Sequence, residues 1–304
     1  MPVSDPPGSV TDWLRPAEFD VAVPGGRLRV CQWPGAGPVV LAAHGITANA
    51  LAFARVAEAL AGRVRLVAPD LRGRARSNGL PGPYGMAAHA ADLIAVADHL
   101  GVDRVTLVGH SMGGFVVAAT AAAYPGRVGG ALLIDGGVAL PAPPTTDVDE
   151  VLTAVIGPAM RRLDMTFPSE QAYLDFFRAH PALRDGWGPF VAAYVRRDLA
   201  GDPPRLRSSC ALDAVRADAA DTLVDRATVD AVHRLACPAR LMWAQRGLLD
   251  EEQGLYDESR LAAARLDRGR IAVEHVAGVN HYSILFDAGA AARVAARVRE
   301  LAAG

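Results

Sequence analysis

The hydrophobic positions of the chain follow two patterns, and the change between them falls near residue 140. Before that point, short continuous apolar runs such as 38–43 and 105–108 alternate with longer stretches whose apolar residues recur at helical spacing. Continuous apolar runs are typical of strands that a parallel sheet buries on both faces. The alternation predicts βαβ units and an α/β fold, with a mostly parallel, doubly wound sheet flanked by helices.

The individual elements can be placed on this pattern. Residues 18–23 and 27–33 alternate polar and apolar positions around Pro24-Gly25-Gly26, which predicts a hairpin. Further strands are predicted at 38–43, 64–68, 105–108 and 131–134, with helices at 48–61, 86–100 and after residue 113. The proline-rich run at 141–144 breaks this rhythm. Helical patterns without a strand signal follow at 148–163, 170–180 and 189–199, before strands at 240–244 and 271–276 and a helix at 288–302.

These patterns divide the chain into four parts. We expect a flexible N-terminal segment at 1–16, the first part of an α/β core at 17–140, a helical insertion at 141–235 and the second part of the core at 236–304. With 304 residues, of which 51% are apolar, the chain is long enough to bury one large core.

A candidate nucleophile lies where the strand at 105–108 gives way to a helix. The sequence there is Gly109-His110-Ser111-Met112-Gly113, the G-x-S-x-G pattern of a nucleophile elbow, in which the serine occupies a strained turn. Strand and helix approach so closely in this turn that a side chain at either flanking position would clash. The turn would therefore expose the Ser111 hydroxyl beside the N–H groups of a helix start, which favour a developing oxyanion.

Composition and charge exclude several kinds of partner. The net charge is -2, with 31 basic and 33 acidic residues, so neither nucleic acid nor a membrane surface is an expected partner. Cys31, Cys210 and Cys237 show no metal-ligand spacing, so no metal and no cofactor is expected. No signal peptide and no apolar run of transmembrane length is evident, which predicts a cytoplasmic protein acting on a small molecule. No pattern in the sequence indicates an oligomeric state.

Four motifs in a fixed order resemble those of the α/β-hydrolase superfamily. They are His44-Gly45, the loop 70–77, the elbow around Ser111 and the late His281. The loop is similar to the D-x-R-G-x-G-x-S loop of lid-bearing members, with Ala75 in place of the second glycine. The resemblance covers nearly all of 18–302 apart from the insertion. It implies the α/β-hydrolase fold, a helical lid at 141–235 and a serine hydrolase that needs no cofactor.

The loop 70–77 also carries three arginines. Their charge suggests an anion site. The favoured interpretation is a solvated loop that packs beneath the lid, with Arg72 and Arg76 paired to acidic residues.

The expected general base is His281. Ser111 needs a base within hydrogen-bond reach, because a neutral aliphatic hydroxyl is a weak nucleophile. His281 follows the last predicted strand, where the resemblance places the base, whereas His275 lies inside that strand. A buried carboxylate must then hold the imidazole of His281 in the correct tautomer.

Two aspartates compete for this third role. Most superfamily members carry the acid in a W-G-x-x-D pattern, but the sequence from Trp243 places Gly247 at that position and reaches Asp250 three residues later. Asp135 ends the strand after the elbow helix, a position that some members use. We favour Asp135 and keep Asp250 as the alternative.

The resemblance also places the remaining parts of the site. The backbone N–H groups of Ile46 and Met112 are expected to form the oxyanion hole. The insertion is rich in aromatic residues, some of which should face the serine and give a largely apolar pocket. The expected substrate contacts are Phe167, Phe177, Trp187 and Tyr282.

We therefore expect a hydrolase that cleaves a carboxylic ester or lactone through an acyl-enzyme. The same residues suit a C–C bond hydrolase, a thioesterase or a cofactor-free haloperoxidase. An alternative of another class is a ligand-binding receptor on a hydrolase scaffold.

Overall fold

A central sheet organises the molecule. The computed structural model describes residues 9–139, 147, 150, 157 and 160–304. The strands in the described residues are β1 (Ala17–Val23), β2 (Gly26–Gln32), β3 (Val39–Ala43), β4 (Arg65–Pro69), β5 (Val105–His110), β6 (Val128–Ile134), β7 (Leu199–Ala200), β8 (Arg207–Ser208), β9 (Ala239–Arg246) and β10 (Ile271–Asn280). Eight of them form one sheet in the order β1-β2-β4-β3-β5-β6-β9-β10.

The sheet is antiparallel at one end and parallel elsewhere. β1 and β2 form the predicted hairpin, and β2 also pairs antiparallel with β4. From β4 to β10 all neighbouring pairs are parallel. The strand order reverses direction at β3, because β4 lies on one side of it and β5 on the other. The predicted doubly wound, mostly parallel α/β sheet is thus confirmed.

Helices cover both faces of this sheet. The α-helices in the described residues, including those of the insertion, are α1 (Val10–Trp13), α2 (Ala54–Leu60), α3 (Met86–His99), α4 (Met112–Ala123), α5 (Glu170–Arg178), α6 (Pro181–Arg184), α7 (Pro189–Arg197), α8 (Leu212–Val224), α9 (Arg226–Val229), α10 (Glu258–Ala263), α11 (Ser283–Phe286) and α12 (Ala288–Ala302). Every residue of β3 is buried, and its side chains alternate between the two faces. Val40 packs into the core beneath α2 and α12, and Leu41 into the core beneath α3 and α4.

The insertion between β6 and β9 contains α5 to α9 and a short ribbon of β7 and β8 that the sequence pattern does not reveal. A buried polar cluster ties its parts together. Arg162 pairs with Asp198 and donates hydrogen bonds to the Tyr173 hydroxyl (2.6 Å) and to Ser208 Oγ (2.9 Å). Most of the predicted helix at 148–163 and the proline-rich run lie outside the described residues. The domain boundaries and the role of the insertion as a lid stay predictions.

The N-terminal segment contributes one side chain of α1, that of Trp13, to the core. Trp13, at the end of α1, is buried, and its carbonyl oxygen accepts a hydrogen bond from Trp33 Nε1 at 2.7 Å. Residues 1–8 lie outside the described part, so for them a flexible segment stays a prediction. The predicted C-terminal helix at 288–302 matches α12.

Candidate active site

Ser111 occupies a strained turn at the carboxyl end of β5. Its backbone lies at φ 57° and ψ -124°, a region that residues with a side chain rarely adopt. A Cβ at Gly109 would lie 2.0 Å from the Gly113 carbonyl oxygen, and one at Gly113 would lie 1.9 Å from the Ala43 carbonyl oxygen. Only glycine fits at either position, so the spacing of the pentapeptide follows from the close approach of α4 to β3 and β5.

His281 and Asp135 form a buried hydrogen-bonded pair. His281 follows β10 directly, and its Nδ1 lies 2.6 Å from Asp135 Oδ2. The other carboxylate oxygen of Asp135 accepts the backbone N–H of Ala244 at 3.0 Å. The carboxylate is therefore held from two sides. A proton on Nδ1, donated to Asp135, leaves Nε2 of His281 free to accept a proton.

Asp250 lies near this pair but has other partners. It forms an ion pair with Arg246 at 2.8 Å and accepts a hydrogen bond from Asn280 Nδ2 at 3.0 Å. These two groups, Asn280 first, hold the pKa of the Asp250 carboxyl below its usual value. None of its hydrogen bonds in the described part of the chain reaches His281. Of the two aspartates left open by the sequence, the structure brings Asp135 to the histidine.

The surroundings of Gly247 explain the absence of an acid at the position where most superfamily members carry it. A Cβ there would lie 2.3 Å from Glu251 Oε2 and 2.9 Å from the Gln253 carbonyl oxygen. The glutamate side chain can move, but the Gln253 carbonyl belongs to the backbone. The loop after β9 is folded too tightly at this point to carry an aspartate.

The loop that follows β3 is shaped by His44. Its Nδ1 hydrogen-bonds to the Gly45 carbonyl oxygen at 2.8 Å, and its Nε2 accepts the Leu71 N–H at 2.9 Å. Burial lowers the pKa of His44 to about 3, so the ring stays neutral with its proton on Nδ1. It thereby joins the loop of Gly45 and Ile46 to the loop 70–77.

Ile46 and Met112 stand where the sequence predicts oxyanion-hole donors. Ile46 lines the cavity in front of Ser111, and Met112 is the first residue of α4. Neither backbone N–H donates to a protein acceptor within the described residues. The Gly45 Cα is close by, because a Cβ on it would lie 3.6 Å from Ser111 Oγ. Both N–H groups are available to a bound oxygen atom.

His110, which the sequence presents only as the variable position of the elbow, supports the histidine loop. Its Nε2 donates a hydrogen bond to the His281 carbonyl oxygen at 2.8 Å, and the two rings are 4.6 Å apart. Burial, followed by the nearby His281, holds the pKa of His110 well below its usual value. The neutral ring fixes the loop in which His281 lies. A contact between elements so far apart in the chain leaves no local pattern.

Ser111 and His281 line one small cavity. The space open to the centres of water-sized molecules is about 40 Å³. Its described lining residues are Gly45, Ile46, Thr47, Ala48, Ala52, His110, Ser111, Tyr194, Leu248, His281, Tyr282, Leu285 and Phe286. Most of these are apolar, which is typical of small-molecule sites.

Of the four expected substrate contacts, the structure brings Tyr282 to the cavity. The other three pack within the insertion. Phe167 stacks edge-on against Tyr173, Phe177 lies under the Arg162 guanidinium, and Trp187 lies under that of Arg178. The described lining thus differs from the predicted set, because helical spacing shows that aromatic residues share a face without showing which face meets the cavity. Tyr194, Leu285 and Phe286 lie there instead.

The described residues contain neither a metal-ligand cluster nor a membrane-spanning helix. No group of three or more His, Cys, Asp or Glu side chains there is placed to hold a metal ion. In the same part of the chain, no helix is long and apolar enough to cross a membrane.

Known proteins share this architecture. The family model described as alpha/beta hydrolase fold matches residues 38–209. An uncharacterized protein of Mycobacterium tuberculosis (strain ATCC 25618 / H37Rv) is 35% identical over 175 residues, which are 52% of this chain and 48% of that protein. The chain thus spans about half the length of this relative.

Lipase LipV of the same strain is 33% identical over 211 residues, covering 64% of this chain and 80% of the lipase. Among solved structures, an E-2-(acetamidomethylene)succinate hydrolase superposes with a TM-score of 0.76 at 22% identity, over 94% of this chain and all of that one (100%). At this identity the superposition shows a shared fold.

Proposed function

The chain belongs to the α/β-hydrolase family, and on that premise we propose that it is a serine hydrolase of small, largely apolar carboxylic esters or lactones. Ser111 is the nucleophile, His281 the general base and Asp135 the acid that orients it. The backbone N–H groups of Ile46 and Met112 hold the oxyanion. No cofactor takes part.

One observation carries this proposal. His281 Nδ1 and Asp135 Oδ2 are joined by a hydrogen bond of 2.6 Å, and the imidazole of His281 lines the same small cavity as Ser111. A buried carboxylate in this place stabilises the imidazolium that forms when the histidine takes a proton. The arrangement suits proton transfer from a serine hydroxyl.

The reaction follows from these positions. Ser111 Oγ attacks the substrate carbonyl carbon while His281 Nε2 takes the hydroxyl proton, and the carbonyl oxygen becomes the oxyanion. His281 then gives that proton to the leaving alkoxide, and the bond to the alkoxide breaks. In the second half, His281 takes a proton from water as the water attacks the acyl-enzyme carbonyl carbon. His281 then returns that proton to Ser111 Oγ as the bond to the serine breaks, which releases the acid and restores Ser111.

The lining of the cavity supports an apolar acyl group of small size. Leu248, Leu285 and Phe286 contribute aliphatic and aromatic surface, and about 40 Å³ leaves room for a short chain beside Ser111. A relative named a lipase, at 33% identity, agrees with ester hydrolysis. We expect short-chain esters and small lactones to be turned over faster than long-chain esters.

A substrate panel tests the proposal. p-Nitrophenyl esters of increasing acyl length, small lactones and a thioester are offered to the wild type, to Ser111→Ala and to Ser259→Ala. Ser259 is exposed and does not line the cavity, so its variant controls for loss of a serine hydroxyl. We expect turnover of short esters or lactones by the wild type and Ser259→Ala, and nearly none by Ser111→Ala.

Other outcomes would redirect the proposal. Thioester turnover without ester turnover would favour a thioesterase. A folded wild type that binds one of these compounds tightly, and turns none of them over, would favour the receptor.

A further inference from the structure

Arg74 is a buried arginine in the loop 70–77. Its side chain is fully buried, so each of its donors must find a partner within the protein. Asp218, on α8, forms an ion pair with it. The Arg72 carbonyl oxygen accepts a second hydrogen bond from Nη1 at 2.8 Å. These contacts fix the guanidinium in one position.

The same guanidinium contacts both residues that are expected to supply the oxyanion-hole N–H groups. Its Nε donates a hydrogen bond to the Ile46 carbonyl oxygen at 2.9 Å. Its Nη2 lies 3.8 Å from Met112 Sδ. Ile46 follows β3 and Met112 begins α4, so one side chain contacts both of these segments.

Asp218 links this group to the insertion. Besides Arg74, its carboxylate accepts the Gly85 N–H at 2.6 Å and contacts His89 Nε2 at 2.9 Å. Burial raises the pKa of the Asp218 carboxyl, but the charges of His89 and Arg74 lower it by a larger amount. The resulting pKa is about 2. The carboxylate is therefore ionised and keeps Arg74 in place. Asp218 and Arg74 thereby connect α8 to the loop that contains Ile46.

We propose that Arg74 is a positioning residue for the oxyanion hole, holding the Ile46 loop and the start of α4 at the separation that an oxyanion requires. The inference rests on the proposed function of the site. An oxyanion hole depends on fixed donors, and a displacement of about 1 Å can cost about a hundredfold in rate. Arg74 acts on the transition state through Ile46 and Met112, without contact with the substrate.

The main variant removes Arg74 and its counter-charge together. Arg74→Met alone would leave the buried Asp218 carboxylate without its arginine counter-charge, which destabilises proteins. Arg74→Met combined with Asp218→Asn avoids this. Arg74→Lys is a second variant, because a single ammonium can pair with Asp218 but cannot also reach the Ile46 and Arg72 carbonyl oxygens.

A matched control exists in the same loop. Arg72 is equally buried and pairs with Asp92 at 2.8 Å, while its other donors reach the Pro24 and Pro81 carbonyl oxygens. Its side chain contacts neither residue of the oxyanion hole in the described part of the chain. Arg72→Met combined with Asp92→Asn therefore removes a similar buried ion pair while leaving the Ile46 loop attached to Arg74.

Three quantities are measured for each variant: kcat and KM for the best ester, the rate at which a fluorophosphonate labels Ser111, and the melting temperature. For Arg74→Met/Asp218→Asn we expect kcat and the labelling rate to fall about tenfold to a hundredfold, with KM nearly unchanged. Arg74→Lys should show the same pattern to a smaller degree. The Arg72 control should keep kcat and the labelling rate per folded molecule.

Two results would overturn the inference. If both Arg74 variants keep the wild-type kcat and labelling rate per folded molecule, with only the melting temperature lowered, Arg74 is structural alone. If the Arg72 control loses kcat to the same extent, the loss reflects the loop as a whole. A wild type that neither hydrolyses esters nor reacts with the fluorophosphonate would instead refute the proposed function, and the role of Arg74 with it.

Discussion

The loops after β6 and β9 each present an aspartate near His281, yet the two aspartates differ in almost every physical respect. Both have a positive φ, 45° at Asp135 and 66° at Asp250. Asp135 is completely buried and hydrogen-bonds to His281. Asp250 is partly exposed and is paired with Arg246 and Asn280.

The difference shows which observation identifies the acid that pairs with His281. The hydrogen-bond and charge partners of a carboxylate are better evidence for this role than its closeness in sequence to an expected motif. Asp250 already has a cation beside it, so its charge is neutralised locally. Asp135 has no arginine partner within the described residues, and its nearest group able to become a cation is His281. A buried carboxylate of this kind stabilises a protonated imidazole most effectively.

Asp135→Asn should reduce turnover more than any other substitution considered for these two loops. The amide can neither stabilise the imidazolium nor enforce the same tautomer of His281, so we expect kcat to fall by about a thousandfold to ten-thousandfold. Ester turnover measured at a single pH, with circular dichroism to verify folding, checks this. Asp250→Asn is the matched variant, and a larger loss there would reverse the assignment of the acid.

Moving the acid to the position used by most superfamily members should fail. Gly247→Asp in the Asp135→Asn background places a Cβ against the Gln253 carbonyl oxygen. We expect no recovery of kcat, and a loss of about 1–3 kcal/mol in the free energy of unfolding from overpacking. Chemical denaturation and ester assays on the double variant test both parts. Recovery to near wild-type turnover would show that the loop after β9 can adapt.

The pH dependence of turnover should also distinguish Asp135 from Asp250. Burial holds the pKa of His44 at about 3 and that of His110 well below its usual value, so both rings stay neutral between about pH 5 and 8. Turnover should therefore fall in a single step on the acid side, because neither of these two rings adds a second one.

In Asp135→Asn that step should move to lower pH, because the imidazolium loses its stabilising charge. In Asp250→Asn it should stay in place. Profiles of kcat/KM against pH for the three proteins decide this, and an unmoved step in Asp135→Asn would contradict the pairing.

Asp250→Asn should have the smallest effect of these substitutions, both on kcat and on the free energy of unfolding. The pKa of Asp250 is lowered in the folded protein, so its hydrogen bond from Asn280 and its ion pair with Arg246 stabilise the fold above the unfolded-state pKa of about 3.9. This stabilisation is lost as the pH falls through the lower, folded-state pKa. The pair is partly exposed and screened, so we expect a loss of about 1 kcal/mol or less at neutral pH. Melting temperatures at neutral and acid pH measure it. A threefold or larger fall in kcat, about 0.65 kcal/mol by the rate equation, would indicate a role in the site.

The parts of the site that the sequence predicts are those fixed by local geometry. Gly109 and Gly113 mark the elbow because strand and helix touch within five residues. His281 is found because it directly follows the last strand of the sheet. The fold class follows from the alternation of buried strands and helices. All these signals depend on neighbours in the chain.

The remaining parts depend on contacts between distant segments. The sequence favours Asp135 but leaves Asp250 as an alternative, because the choice rests on which carboxylate meets His281 after folding. The cavity residues Tyr194 and Phe286 lie on α7 and α11, two helices far apart in the chain whose rings meet with centroids 5.4 Å apart. Arg74 gives no pattern of its own, since its partner Asp218 lies on another helix.

The central claim is that Ser111 forms an acyl-enzyme with the help of His281 and Asp135. Its most direct test is rapid acid quench of the wild type during turnover of a p-nitrophenyl ester, followed by intact-mass and peptide analysis. We predict an acyl adduct on the peptide that contains Ser111, absent from Ser111→Ala and formed far more slowly in Asp135→Asn. Turnover by Ser111→Ala at the wild-type rate, or an adduct on another residue, would contradict the account.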